Sequence, residues 1–283
     1  MPTQLLDYFS SLVADEESLP LTEAALAVAQ DAYPTLDIMT ALAEIDGLAD
    51  RFKTRIAEGT APLQKMRLLN RFFYKELGFG PNRNDYYDPD NSHLNVLLKT
   101  RRGIPISLAI LYMEIGQQIG LPLRGVSFPN HFLVRMSVPA GEVFVDPLTG
   151  TTLSKERLQE MLDPYLEQQR DAIADMDRVS LPLFLQPATP REILARLLRN
   201  LKAIYLRDER WQRLLGVQQR LVILLPDNVE EVRDRGMAYA NMEYFRPALE
   251  DLQAYLDAHP EARDAEALRN RMPKLKQLGR SVS

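Results

Sequence analysis

A spacing of 34 residues recurs in the last third of the chain, and it restricts the fold of that region more than any other feature. The matched pairs are Tyr205 with Tyr239, Trp211 with Phe245, and Pro226 with Pro260. A period of this length corresponds to a stacked two-helix unit, and the prolines mark the ends of the second helices. We therefore predict two such units, over roughly 193–226 and 227–260, and a closing helix within 264–278.

The two units look like tetratricopeptide repeats, a family in which a small residue stands where the helices pack closely. Gly236 has this place in the second unit, whereas the first unit has Lys202 there, so the first repeat is predicted to be degenerate. Two repeats are fewer than usually stand alone. We expect residues 190–283 to form an all-α repeat domain that packs against the preceding part of the chain.

The length and composition of the chain indicate two folded domains. Of its 283 residues, 46% are hydrophobic and 26% are charged, so each half can bury a core. No run reaches the ~18–20 apolar residues of a membrane span. The acidic N-terminal sequence also lacks the basic start of a signal peptide. A cytoplasmic protein without membrane contact is therefore expected.

Cysteine usage and charge restrict the chemistry and the partners. Cysteine is absent, which excludes disulfides, thiolate metal sites and a thiol nucleophile. From Pro190 onward, 17 Lys and Arg stand against 14 Asp and Glu. Nucleic-acid modules are usually far more basic, so no nucleic-acid partner is expected. An acidic partner could still dock on arginines of the repeat region, namely Arg191, Arg196, Arg199, Arg233 and Arg235.

The region before the repeats combines helices with two short strands. Helical periodicity occurs in the segments 21–33, 35–59, 61–80 and 107–120. Thr22 is expected to cap the first of these helices. The polar run 81–95 has no periodicity and is typical of turns. Alternating apolar residues then predict strands over 132–138 and 142–147.

A proline-rich stretch separates the two predicted domains. Its members are Pro164, Pro182, Pro187 and Pro190, and they indicate a linker near 180–190. The predicted fold class is α+β. A helix-rich domain with a small antiparallel sheet is expected over 1–185, with a helical part at 1–80 and a core at 84–162, and the all-α repeats follow.

His131, one of three histidines in the chain, stands at the head of the first predicted strand, and Asp146 closes the second. A helix, a strand that begins with His and a strand that ends with Asp follow one another in papain-like cysteine enzymes and transglutaminases. There a thiolate lies at the helix N-terminus, where the dipole and free N–H groups stabilise its charge. The histidine carries the proton, and the acid orients the imidazole.

Long motifs surround these two residues. They are YYDPDNSHLNVLL (86–98), GIPISLAILYMEIGQQIGLPLRGV (103–126), FPNHFLVR (128–135) and VDPLTG (145–150). They resemble the transglutaminase-like superfamily, in the branch known as the SirB1 N-terminal domain. The tail segments RNLKAIYL and RDRGMAYA are similar to the tetratricopeptide half of that family. The resemblance implies a papain-like fold in which His131 and Asp146 match two of the three catalytic side chains.

The third catalytic side chain does not match. Counted back without gaps from the segment 120–124, the place of the family's cysteine falls on Pro105, which has no nucleophilic atom. Ser107 is the nearest hydroxyl, and in a shifted helix register it could complete a Ser–His–Asp system. It could equally be a first-turn residue that satisfies free N–H groups. His131 could then be a base, a buried relic bonded to Asp146, or an ordinary strand residue, and Asp146 could simply end its strand.

The polar run could also suggest a metal site, since it contains Asp85, Asp88, Asp90, Asn91 and His93. It lacks the glycine and the twelfth-position Glu of a calcium loop, and turn formation explains its composition equally well. We predict neither a metal nor a cofactor. The run is expected to pack over Ser107 instead. Five residues are then expected to form a polar pocket near His131, namely Tyr86, Tyr87, Asn95, Pro105 and Asn130.

Two functions remain open. The favoured one is a non-catalytic interaction or regulatory protein on a degenerate transglutaminase-like scaffold, with an unidentified protein or peptide bound in the cleft near His131 or on the repeats. The alternative is an acyl-transfer hydrolase that uses Ser107, His131 and Asp146, and a third, weaker candidate binds a ligand in the cleft without chemistry. The distance from Ser107 Oγ to a His131 nitrogen discriminates between the first two, because a nucleophile and its base lie within about 2.6–3.2 Å.

Overall fold

The computed structural model describes residues 3–139, 141–169 and 180–281, and within these ranges helices predominate over short strands. The α-helices are α1 (Thr3–Leu12), α2 (Leu21–Ala29), α3 (Ile38–Lys53), α4 (Pro62–Asn70), α5 (Leu94–Thr100), α6 (Pro105–Gln118), α7 (Lys155–Gln168), α8 (Pro190–Arg207), α9 (Trp211–Leu224), α10 (Val229–Asn241), α11 (Phe245–Ala258) and α12 (Ala265–Ser281). The strands are β1 (Gly80–Pro81), β2 (Arg102–Gly103), β3 (Leu123–Val126), β4 (Leu133–Val138), β5 (Gly141–Val145) and β6 (Thr152–Leu153). The predicted α+β class is confirmed.

An antiparallel sheet with the strand order β3-β4-β5-β6 lies between two helices. Successive side chains of a strand point to opposite faces. Val134 and Met136 therefore pack in the main core with α6, whereas Leu133 and Phe144 pack on the opposite face in a smaller core with α7. The sheet is thus covered on both faces, and the ends of β4 and β5 carry the candidate site.

The two predicted strands correspond to β4 and β5, but their ends differ from the prediction. His131 was predicted to open the first strand, and it lies instead in a turn that precedes β4. The short strands β3 and β6 were not predicted. They have four and two residues, which is too short for an alternating pattern to stand out.

Three local predictions in the first domain were wrong. Thr22 does not cap α2, because it lies inside that helix and its Oγ1 donates to Glu114 Oε2 of α6 at 2.6 Å. Pro164 belongs to α7 and not to a linker, since the burial of Leu158 and Leu162 keeps that helix in place. Leu94 and Asn95, at the end of the polar run that was predicted as turns, are the first residues of α5. Residues 170–179 of the predicted first domain lie outside the described residues.

The repeat region contains the helix pairs α8–α9 and α10–α11 and the closing helix α12. Gly236 allows α10 and α11 to approach closely, because a Cβ there would lie 2.9 Å from Asp251 Cβ. Lys202, at the same place in the first pair, directs its Nζ to carboxylates of α10 instead, at 2.7 Å from Glu231 and 2.5 Å from Asp234. The first repeat therefore uses an ion-paired cation where the second uses a close helix contact.

The helices α8 and α9 share the core of the first domain. Buried residues such as Leu194 and Leu221 belong to the same cluster as Phe9 of α1 and Ile110 of α6. A second cluster, which includes Leu252 of α11, lies between α10, α11 and α12. The first repeat is thus part of the wall of the first domain, and the second repeat extends from it.

No described helix combines the length and apolar character that crossing a membrane requires.

Candidate functional site

The N-terminus of α6 is the place that the sequence assigns to a nucleophile. Pro105 is the first residue of the helix and Ile104 holds the N-cap position. The fixed φ and the missing N–H of proline suit this position. Pro105 is buried there, so the first turn of the helix presents a pyrrolidine ring in place of a nucleophilic atom.

The Ser107 hydroxyl is hydrogen-bonded to backbone groups. Its Oγ donates to Asn91 O at 2.6 Å and accepts from the Ile104 N–H at 3.1 Å. The side chain is fully buried, and a Cβ added to Gly103 would lie 2.6 Å from the Oγ. In the described part of the chain, His131 is not among the hydrogen-bond partners of Ser107. The hydroxyl therefore ties the short helix at 89–92 to the start of α6.

Ser107→Ala is expected to lower the free energy of unfolding by about 1–3 kcal/mol, because it removes the buried hydrogen bonds of the hydroxyl with Asn91 O and the Ile104 N–H. Ser11→Ala is the matched control, since the Ser11 hydroxyl also donates to a carbonyl, Tyr8 O at 2.7 Å, but is exposed. Urea unfolding of both variants measures the difference. Equal stability of Ser107→Ala and the wild type would contradict the structural role.

His131 and Asp146 meet at the ends of β4 and β5. The His131 N–H donates to Phe128 O at 3.1 Å, and Asn130 has a φ of 53°, so a tight turn leads the chain into β4. Asp146 follows β5 directly. Nε2 of His131 and Oδ1 of Asp146 are 3.0 Å apart, and the two side chains are 15% and 19% exposed. The pair is therefore partly shielded from water but reachable.

The hydrogen bonds of Asp146 determine which nitrogen of His131 carries a proton. Burial disfavours the Asp146 carboxylate, but hydrogen bonds from His131, the Leu148 N–H and the Thr149 hydroxyl outweigh it and lower its pKa. An ionised carboxylate only accepts, so Nε2 of His131 is the donor. In the neutral imidazole Nδ1 is then left with a lone pair. The pair thus has the form of an oriented base.

Residues far away in the sequence hold the turn that carries Asp146. Tyr74 Oη donates to Pro147 O at 3.0 Å, and Asn70 Nδ2 donates to Gly150 O at 2.9 Å. Gly150 has a φ of 74°, and a Cβ there would lie 2.5 Å from the Tyr74 ring. The turn is therefore fixed from the side of α4 and the π-helical turn that follows it, Arg71–Glu76.

Asn70 and Tyr74 were not predicted as part of the site. Tyr112 of α6 donates to Asn70 Oδ1 at 2.6 Å and so orients the amide. Local pattern could not reveal these contacts, because they join residues 42 to 80 positions apart.

The remaining predicted pocket residues lie in different surroundings. Tyr86 and Tyr87 are 49% and 61% exposed, and their ring centroids are 5.4 Å apart. Asn95 is buried in α5, whereas Asn130 is exposed at the turn before His131. Within the described ranges, no hydrogen bond or ring contact joins Tyr86, Tyr87 or Asn95 to His131. A common pocket of these residues therefore stays a prediction.

The acidic side chains of the polar run serve local structure. Asp88 Oδ1 accepts from the Asp90 N–H at 3.0 Å, and Asp90 Oδ1 accepts from the Tyr33 hydroxyl at 2.5 Å. His93 is buried beneath them. Among the described residues, no group of three or more His, Cys, Asp and Glu is placed to hold a metal ion.

Fold and site together define a transglutaminase-like domain that contains a His–Asp pair and is followed by helical repeats. The family model of the transglutaminase-like superfamily matches residues 39–199, and a tetratricopeptide-repeat model matches residues 201–273. The chain belongs to the SirB1 branch of the transglutaminase-like superfamily, the family that its motifs resemble.

Relatives match along most of their length. A UPF0162 protein of Xylella fastidiosa is 37% identical over 273 residues, which cover 96% of this chain and 95% of that protein. A UPF0162 protein of Vibrio cholerae is 29% identical over 263 residues, or 92% and 94% of the two chains. The protein SirB1 of Salmonella typhimurium is 28% identical over 238 residues, or 84% of each chain.

Proposed function

We propose that this protein is a non-catalytic interaction protein built on a transglutaminase-like scaffold. The proposal rests on the hydrogen bonds of the Ser107 hydroxyl. This side chain is fully buried and is hydrogen-bonded to the backbone at Asn91 and Ile104. Pro105 holds the first position of the helix, and the chain contains no cysteine. These features support a site that has kept its base and lost its nucleophile.

Tetratricopeptide repeats generally bind proteins or peptides, and this supports a protein or peptide as the partner. The first repeat is built into the core of the first domain. A partner of this protein would therefore contact a surface to which both domains contribute, and not a repeat array that stands by itself. The cytoplasm is the location that this proposal assumes.

The His131–Asp146 pair favours a second candidate, an acyl-transfer hydrolase. The separation of 3.0 Å and the lowered pKa of Asp146 suit a general base and its orienting acid. For Ser107 to act, its hydroxyl would have to leave Asn91 O and reach His131. That step requires the first turn of α6 to rearrange, so this candidate is the less favoured one.

Reaction with a fluorophosphonate probe separates the two candidates. We expect no labelling of the wild type under conditions where a known serine hydrolase is fully labelled, because a hydroxyl bonded to a buried carbonyl is not a nucleophile. The same probe is applied to Ser107→Ala, His131→Ala and Asp146→Asn. Labelling of the wild type that disappears in Ser107→Ala and His131→Ala would overturn the proposed function and establish the hydrolase.

A further inference from the structure

A groove of about 540 Å³ lies between the start of α8 and the short helix at 181–185. Residues that line it include Ser127, Leu183, Phe184, Ala188, Arg196 and Arg199. Leu183 is 61% exposed, and its neighbour Phe184 packs partly buried on the smaller core. The groove therefore combines an apolar wall with cationic side chains of α8.

Arg196 is a half-buried cation in this groove. Its guanidinium lies over the Phe132 ring, with Cζ at 5.8 Å from the ring centroid. Burial lowers the pKa of Arg196, and the Tyr86 phenol acts in the opposite direction. In the described part of the chain no carboxylate is among the groups that act on this pKa. Since an arginine stays protonated in proteins, its partial desolvation has no counter-charge to offset it.

The other charged groups of the groove already have partners. Arg199 Nε lies 2.9 Å from Glu231 Oε1 of α10. The Glu192 carboxylate accepts from the Thr189 N–H at 2.7 Å and closes the capping box of α8. Arg196 is therefore the charge that remains available to a ligand, and it points to an anion.

We propose that this groove binds an acidic peptide segment of a partner protein, with an Asp or Glu carboxylate on the Arg196 guanidinium and a neighbouring apolar side chain on Leu183. This inference rests on the proposed function and names the surface and the partner chemistry. A planar carboxylate matches the two-pronged guanidinium. A phosphate group would call for more donors than one available arginine, and the apolar wall suits a peptide side chain.

Selection of phage-displayed random dodecapeptides on the immobilised full chain tests the proposal. We expect the enriched peptides to carry Asp or Glu next to an apolar residue. Synthetic copies of these peptides are then measured by fluorescence anisotropy, together with twins in which the acid is replaced by its amide. We expect the amide twins to bind the wild type about tenfold or more weakly than the acidic peptides do. The acidic peptides are expected to bind Arg196→Met more weakly than the wild type by a similar factor. Methionine is chosen because it keeps an apolar stem over Phe132.

A charge exchange separates direct contact from loss of structure. Arg196→Glu is expected to lose the acidic peptide and to gain binding of a version with Lys at the acidic position. Arg246→Met is the matched control, since Arg246 is a 91% exposed arginine on α11, and it is expected to bind like the wild type.

Two results of these experiments would contradict the inference. A selection that enriches no acidic peptides, or acidic peptides that bind Arg196→Met as tightly as the wild type, would overturn the inference. Either result would leave the proposed function in place, because that function is decided by the fluorophosphonate probe. Labelling by that probe would instead overturn the proposed function, whatever peptides were enriched.

Discussion

Asp31→Asn is expected to lower the free energy of unfolding by about 3–5 kcal/mol, because it leaves the Arg220 guanidinium buried without a counter-charge. Arg220 Nη1 donates to Asp31 Oδ2, and the Arg220 side chain has no exposure to solvent. Its Nε and Nη2 have no hydrogen-bond partner among the described residues. The substitution preserves the shape of the side chain, so the loss is electrostatic. Urea unfolding, followed by the fluorescence of Trp211, measures the effect.

Two further variants give this experiment its controls. Glu250→Gln breaks the exposed ion pair with Arg246 and is expected to change stability little, because surface pairs contribute little. The double variant Asp31→Leu with Arg220→Met is expected to be more stable than Asp31→Asn, because both buried charges are removed together. If Asp31→Asn were as stable as Glu250→Gln, the buried pair would not hold the domains together.

The position of this ion pair links the first repeat to the first domain. Asp31 follows α2 of the first domain, and Arg220 belongs to α9 of the first repeat. Arg220 also lies over the Phe9 ring of α1, with Cζ at 5.5 Å from the centroid. Since the same apolar cluster contains buried residues from all three helices, we expect the first repeat and the first domain to unfold in a single transition.

The sequence predicted the features that depend on short-range order. The α+β class, the helix pairs and the closing helix follow from periodicity, because each element buries one face at a regular spacing. The proximity of His131 and Asp146 follows from two strands joined by a short connection. The residues between them span only one hairpin, so few arrangements are open to the chain.

The features that depend on distant contacts could not be predicted. Ser107 bonds to a carbonyl 16 residues away, and Arg220 pairs with a carboxylate 189 residues away. Ser107 lies in the first turn of a helix and Arg220 lies inside a helix, and the sequence around neither of them is unusual. Whether Ser107 is a nucleophile or a structural residue depends on its hydrogen bond to Asn91 O, and no pattern in the sequence around Ser107 predicts that bond.

His93 provides the second large expected effect, a loss of stability in mild acid. The residue is 2% exposed, and its ring lies between Tyr33, which follows α2, and Tyr205 of α8. Nε2 is 3.5 Å from the Tyr205 hydroxyl of α8, and the Tyr33 ring packs against it edge to face, with centroids 5.7 Å apart. Burial lowers the pKa of His93 to about 4, with the Asp90 carboxylate acting against this shift and Arg213 adding to it.

The direction of the pH effect follows from the pKa of His93 in the folded and in the unfolded chain. The unfolded chain protonates His93 near pH 6.5, whereas the folded protein does so only near pH 4. As the pH falls, the unfolded state therefore takes up the proton first, so stability that is full above pH 6.5 is lost towards pH 4. The loss corresponds to about 3 kcal/mol over the whole range and about 2 kcal/mol by pH 5.

Urea unfolding at pH 7, 6 and 5 measures this loss in the wild type and in His93→Leu. The variant is expected to lose about 2 kcal/mol less than the wild type between pH 7 and pH 5, whatever its stability at pH 7, because it has no imidazole to protonate. His259→Gln is the matched control, since His259 is 48% exposed on its side chain and is expected to follow the wild-type curve. Parallel curves for the wild type and His93→Leu would contradict the prediction. They would mean that the buried imidazole can be protonated in the folded protein without separating α8 from the polar run beneath it.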